Sequence, residues 1–420
     1  DMSVHVQWST TWTESEAASA AAALFESEFQ VPPVGVWAAP GRVNLIGEHV
    51  DYAGGVCLPF ALTQCTFVAA SPRDDGAISV VSNVKDKDGT DVTHRATISL
   101  SEVGPNNPAS WLGYIAGTVW AMVDDGILPH NSGFNFAFVS DVPLGAGLSS
   151  SAAIECSTAV AAAELSNLTV DDALRKRLVD CCIRAENEVV GASTGGLDQK
   201  ISLFGHRDSA LALDFTDATE TVIPCNFNNH GLAILVINTN APHSLADGQY
   251  ASRRRVIDGV ADVAGASTLR EVSNVDESTL VWAEANVPPD VSHDDWLDTV
   301  KRRVGHVTSE VARTLEAIEN LKVNDFEAFG QRMCESHVSL RDDYEVSCQE
   351  LDIAVDTAMA HGALGARMTG GGFGGSAIAL LDVQSAESVA ASIAEAFADA
   401  GLRAPEFLMA VPSAGARKVP

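Results

Sequence analysis

The chain of 420 residues is long enough for two or three domains, or for two large ones sharing a core. Apolar residues make up 46% and charged residues 20%, which excludes a disordered, collagen-like or low-complexity chain. With 26 basic and 56 acidic residues the net charge is −30, so neither a nucleic acid nor an anionic membrane is an expected partner, because both need a basic face. In chain order, residues 16–29 read as an amphipathic helix stopped by Pro32 and Pro33, and 34–38 as a strand broken by Pro40-Gly41. Strands are expected at 65–71 and 77–82 around the turn signal at 72–76, then a helix at 111–123 and an alternating strand at 134–139. Residues 152–165 form a small-residue helix with little polar face, hence a buried one, and 174–190 a further helix. Strands follow at 209–215 and 233–238, and helices at 250–263, 300–320, 323–335 and 347–361. The chain closes with a strand at 376–382, a helix at 385–400 and a strand near 405–411. Strands and helices mix without steady βαβ alternation, so the expected class is α+β, in two halves, 1–220 and 221–420.

The eight cysteines form no Cys-x-x-Cys pair and no zinc-ligand spacing; they are expected to be reduced and packed as small hydrophobes. No apolar run approaches the ~20 residues of a membrane span, and the N-terminus lacks a basic head, an apolar stretch and a cleavage site. A soluble, cytoplasmic protein is expected, with no membrane partner.

Four segments carry chemistry. The loop Pro143-Leu-Gly-Ala-Gly-Leu-Ser-Ser-Ser-Ala-Ala153 follows a strand and opens a helix. Gly145 and Gly147 clear side chains from the backbone, and Ser149, Ser150 and Ser151 bring hydroxyls and amides to a helix N-terminus, where an anion is favoured. A plain capped turn would carry the same signal, and the Gly-Lys-Ser/Thr ending of a Walker loop is absent. The stretch Pro40-Gly-Arg-Val-Asn-Leu-Ile-Gly-Glu-His-Val-Asp-Tyr52 crowds Arg42, Glu48, His49 and Asp51 into an apolar run; it is either a solvated turn or a set of acceptors and donors suited to sugar hydroxyls. Thr369-Gly-Gly-Gly-Phe-Gly-Gly-Ser376 is a surface loop or, given its apolar flanks, a central one that lets backbones meet. In Gly195-Gly-Leu-Asp-Gln199, Asp198 is a turn residue or a base, and Glu186 upstream is a candidate magnesium ligand.

Together these segments resemble the GHMP kinase superfamily over almost the whole chain, and residues 41–52 are similar to the galactokinase signature. Ser-Pro-Arg-Asp-Asp at 71–75 and the stretch 243–255 extend the resemblance. It implies two α+β lobes with the active site in the cleft between them. It also implies phosphorylation of α-D-galactose by ATP at the anomeric hydroxyl, the first committed step of the Leloir pathway, in an enzyme expected to be a monomer. By residue it implies Asp198 and Arg42 as catalytic, and Glu48, His49, Asp51, Gly195 and Tyr250 as sugar contacts with Asn44 supporting their loop. Gly145, Ala146, Gly147, Leu148, Ser149, Ser150 and Ser151 would hold the ATP phosphates, Ser82 and Trp111 would line the nucleotide site, and Ser151 and Glu186 would bind Mg2+. Val50 and Leu197 stand where the family usually has threonine and methionine, and neither is a position to which the resemblance assigns a role. Two alternatives stay open: a galactose-sensing regulator without turnover, against which the Ser151-Ala152 pair weighs, and a kinase for a related sugar such as N-acetylgalactosamine.

Overall fold

The computed structural model describes residues 4–85, 90–242 and 246–420. Six strands form the first sheet, in the spatial order Arg417–Val419, Gly35–Asn44, Pro59–Arg73, Gly133–Ser140, Ala77–Lys85 and Asp91–Ser99. Neighbours are antiparallel except Ala77–Lys85 beside Gly133–Ser140. Side chains alternate faces along a strand, and the sequence uses both faces. Ala38, Phe67, Ala69, Ala137 and Val139 pack against Ala17, Ala21 and Phe25 of helix Glu14–Phe29. Trp37, Ala39, Val68, Phe136 and Phe138 face helices Trp111–Asp124 and Ser150–Leu165 on the other side. The alanine-rich helix Ser150–Leu165 is buried around most of its circumference, as its lack of a polar face predicts.

The second sheet has five strands, in the order Gln7–Trp8, Glu406–Ala410, Leu232–Asn238, Ser376–Asp382 and Gly365–Thr369. One face packs on helices Gln349–Ala360 and Ala386–Asp399 through Leu235, Ala377, Ala379, Leu351, Ile393 and Phe397. Its other face, through Ile234, Val236, Ile378 and Leu380, meets Leu45, Ile46, Phe60 and Leu148 in a core shared by the two halves. That shared core presses the segment 41–52, the loop 143–149 and the loop 369–376 together. Each terminal strand crosses over: Gln7–Trp8 joins the second sheet and Arg417–Val419 the first. No described helix is long and apolar enough to cross a membrane. The eight cysteines are unpaired, six of them buried, as expected.

Two expectations need correction. Pro40-Gly41 does not break its strand, which runs from Gly35 to Asn44 with a register irregularity between Pro40 and Arg42. The Arg42 N–H leaves the ladder and donates to Leu148 O at 3.0 Å, and a Cβ on Gly41 would lie 2.5 Å from that same oxygen. The Pro-Gly pair thus admits a second loop to the strand. The single helix expected at 174–190 is an α-helix over Asp172–Arg184 followed by a π-turn over Ala185–Val190, a local register slip common at functional sites. Three further strands are not among those expected: Asp91–Ser99, largely exposed with only Val92, Ala96 and Ile98 turned inward, Thr219–Pro224, exposed and polar, and Gly365–Thr369, short and interrupted by Arg367.

Candidate active site

Strand Gly133–Ser140 delivers the chain to the loop 143–149, which turns through left-handed Gly145, Gly147 and Ser149 (φ 70°, 71° and 65°) into helix Ser150–Leu165. Ala146 and Leu148 are buried and anchor the loop, while Gly145 and Gly147 face outward. Ser376 Oγ donates to Ala146 O at 2.6 Å, and a Cβ on Gly370 would come within 3.0 Å of Gly147 O. The glycine-rich loop 369–376 is therefore a packed wall of the site, where any side chain at Gly370 would press on the neighbouring loop. Ser149 Oγ is buried without a protein partner, and no side chain caps the helix that Ser150 and Ser151 begin. An orphaned hydroxyl beside uncapped helix amides is a seat for an anion.

Arg42 ties this loop to the next group. Its Nε donates to Asp198 Oδ1 at 2.8 Å and its Nη1 to Gly147 O at 2.7 Å. Asp198 stands in the first turn of helix Leu197–Phe204, so guanidinium and helix N-terminus both place positive potential at its carboxylate. The π-turn presents Glu186 to the same space. Burial pushes the Glu186 carboxyl up to about 7, with the Asp198 charge adding to the effect and the Ser151 hydroxyl beside it opposing it. Glu155, fully buried behind it, is pushed well above the carboxylate range by burial and by the Glu186 charge. Gln199 Nε2 donates to both, at 2.9 Å to Glu155 Oε1 and 3.2 Å to Glu186 Oε1, and its Oε1 accepts from Thr194 Oγ1 at 3.2 Å.

A polar cavity opens beside Asp198. The loop 47–51 contributes Glu48, His49 and Asp51, the turn before helix Leu197–Phe204 contributes Thr194 and Gly195, and helix Ala246–Val263 contributes Tyr250. Gly195 is required by contact: a Cβ there would lie 2.3 Å from Asp51 Oδ2. Burial raises the Asp51 carboxyl to about 6, and the Asp198 charge pushes the same way. The folded protein thus holds this proton to higher pH than an unfolded chain does, and the associated stability is lost as pH rises from about 4 to about 6. Donors that bind Asp51 favour its ionised form, so a polyol that bonds it should bind more tightly as pH rises through about 6 and level off above about 7. Calorimetric Kd values for galactose across that range check this; a flat profile in the wild type, or an unchanged slope in Asp51→Asn, contradicts it.

One sugar-contact expectation changes. His49 lines the cavity, but its Nε2 donates to Gly371 O (2.8 Å) and its Nδ1 accepts from Tyr52 Oη (3.0 Å), which accepts in turn from Tyr344 Oη (2.6 Å). Burial lowers the imidazole to about 3, and the neutral ring has no nitrogen left for a hydroxyl. Asn44 is fully buried away from the cavity and supports the loop through Nδ2 to Gly47 O at 3.0 Å. Ser82 and Trp111 lie apart from the cavity: Ser82 stands opposite His94, whose ring is 5.9 Å from Trp111. Residues 243–245 of the stretch 243–255 lie outside the described residues. Sequence reasoning missed Glu155, Gln199, Thr194, Arg367 and Glu310. Glu155 and Arg367 had a visible signal, a lone charge inside an apolar element; Thr194 had none.

A Gly/Ser loop opening a buried helix, and a second lobe packed across it on a glycine-rich loop, define a GHMP kinase. The GHMP kinases N terminal domain matches residues 113–206 and the GHMP kinases C terminal matches 317–399. Mevalonate kinase of L. major shares the fold, with a TM-score of 0.59 at 17% identity over 91% of this chain and 99% of that one. Within the class, the galactokinase galactose-binding signature matches residues 23–72. The chain is 41% identical to galactokinase of Streptomyces coelicolor over 94% of its length and 97% of the relative's. It is 38% identical to galactokinase of Homo sapiens, over 89% and 90%. The crystal structure of Lactococcus lactis galactokinase complexed with galactose superposes with a TM-score of 0.82 at 30% identity, covering 96% of this chain and 99% of that one. The chain belongs to the galactokinase family.

Proposed function

We propose that the protein is a galactokinase that transfers the γ-phosphoryl group of ATP to the anomeric hydroxyl of α-D-galactose, releasing α-D-galactose 1-phosphate and ADP. The observation that carries this reading is Arg42, one guanidinium bonded both to Asp198 at the polar cavity and to the Gly147 carbonyl of the phosphate loop. Sugar hydroxyl and terminal phosphate would meet at that point. Phosphoryl transfer asks a protein for in-line positioning and charge neutralisation. Asp51, Glu48, Tyr250 and the Gly195 backbone would hold the sugar; Asp198 would receive the hydroxyl proton; Arg42 and the amides of 145–151 would meet the phosphoryl charge. Ser82 and Trp111, with His94, would flank the nucleotide. We read residues 1–220 and 221–420 as the two lobes, the terminal strands exchanged between them, in a cytoplasmic monomer.

Glu186, with the Ser151 hydroxyl beside it and Asp198 near, is a buried excess of negative charge whose nearby guanidinium is already engaged, which fits a divalent cation. Among the described residues no three or more His, Cys, Asp or Glu side chains form a metal cage, so Ser151 and Glu186 would hold Mg2+ together with substrate phosphates and water. The ion would neutralise phosphate charge there. Glu186→Ala should raise the magnesium needed for half-maximal activity by at least ~10-fold and weaken Mg-dependent ADP binding. A titration that overlays the wild type contradicts the assignment.

ADP release with galactose, N-acetylgalactosamine and glucose tests the reading. Galactose-dependent turnover supports it. Galactose binding without turnover would indicate the sensing regulator, and turnover on N-acetylgalactosamine alone the related kinase.

A further inference from the structure

Glu48 is held at three points by residues from the second half of the chain. Its N–H donates to Glu310 Oε2 at 3.1 Å, its carbonyl accepts from His306 Nε2 at 3.0 Å, and its carboxylate Oε2 accepts from Arg367 Nη2 at 2.6 Å. Arg367 Nη1 also donates to Asn44 O at 2.6 Å, so one guanidinium spans the start and the tip of the loop. Arg367, Glu310 and His306 are completely buried. Two of them are fixed in turn: Glu310 accepts from Ser336 Oγ (2.6 Å) and Arg313 Nε (2.9 Å), and His306 Nδ1 meets Ser339 Oγ (2.7 Å).

Burying a guanidinium and a carboxylate is expensive, and apolar residues of similar volume often stabilise a core more. Support for a loop alone does not require them. What the charged set adds is geometry: with N–H, carbonyl and Oε2 all engaged, Glu48 cannot turn or rotate, and Oε1 is the carboxylate oxygen it keeps for the cavity it lines. A carboxylate fixed in this way accepts from one hydroxyl position, whereas a free one would follow any hydroxyl within reach.

We propose that Arg367, Glu310 and His306 are positioning residues that set hydroxyl selectivity by clamping Glu48, so that part of the sugar specificity is written in the second lobe, out of contact with the sugar. The inference rests on the reading of the cavity as a sugar site. The test measures Kd for galactose and for each monodeoxygalactose by calorimetry without nucleotide, and Kd for ADP separately. In the wild type, one deoxy sugar, the one lacking the hydroxyl that Glu48 reads, should bind at least ~10-fold more weakly than galactose on account of Glu48. In Arg367→Met, galactose itself should lose at least ~10-fold, the penalty for that one deoxy sugar should collapse, and the penalties at other positions should persist. ADP affinity should stay within about 2-fold, as expected for a distant, independent site. Glu310→Gln, which keeps the side-chain shape, should show the same pattern more weakly and gives the answer if Arg367→Met does not fold. Unchanged discrimination in a folded variant, or an equal loss for every sugar, overturns the clamp. Failure of the wild type to bind galactose overturns the sugar site itself, a result distinct from either.

Discussion

Asp198→Asn should lose at least ~10²-fold in kcat, the low end of what a positioned base contributes, with far smaller changes in KM. The variant is informative because its shape is conserved. The amide oxygen can still accept from Arg42 Nε, now 2.8 Å from Oδ1, so the cavity wall and the link from Arg42 to Gly147 stay in place. What disappears is the negative charge and the site that receives the proton. Arg42→Lys should be costly for the complementary reason. A flexible ammonium cannot reproduce two bonds in fixed directions, to Asp198 and to the phosphate loop. If Asp198 only orients the sugar while Arg42 acidifies the hydroxyl, the asparagine variant should keep most of its kcat. Near wild-type kcat with normal folding therefore removes the base role and leaves the orienting one.

Gly195→Ala should weaken galactose binding by about 10²-fold or more while ADP binding is unchanged, the scale of a 1 Å misplacement in an ordered site. The added Cβ would sit 2.3 Å from Asp51 Oδ2 and 2.5 Å from its Cγ, so the carboxylate must leave its position. Asp51 has little room to retreat, because Tyr52 behind it is bonded into the chain from Tyr344 to His49. Strain in the alanine backbone is not the cause, since Gly195 is not among the left-handed glycines. Calorimetry with galactose and with ADP separates the two effects; a wild-type Kd for galactose would show that Asp51 is not a sugar ligand.

Much of this site was legible in the sequence because its chemistry is concentrated in short segments. Gly145 and Gly147 with the three serines open the reading of an anion seat beside that of a capped turn, and charges inside an apolar run mark Arg42 and Glu48 as buried for a reason. What the sequence hides is pairing across distance. Nothing local shows that the Pro40-Gly41 pair admits another loop, because Leu148 is brought there by the shared core. The two occupied nitrogens of His49 depend on Gly371 and on a tyrosine chain, so a residue that looked like a sugar ligand bonds its neighbours with both ring nitrogens. Arg367 stands just before the glycine loop, and its role emerges only when strand Gly365–Thr369 is placed behind Glu48. The strands that sequence alone does not announce, such as Thr219–Pro224, are those with polar, exposed surfaces, where no apolar period exists to be read.

The most direct test of the central claim is the identity of the product. Purified protein incubated with ATP, magnesium and galactose, followed by phosphorus NMR, should show ATP converted to ADP in step with a single new phosphomonoester coupled to the anomeric proton of α-galactose, and Asp198→Asn should form it at least ~10²-fold more slowly. No galactose-dependent loss of ATP, or a phosphate on any other hydroxyl, would contradict the account.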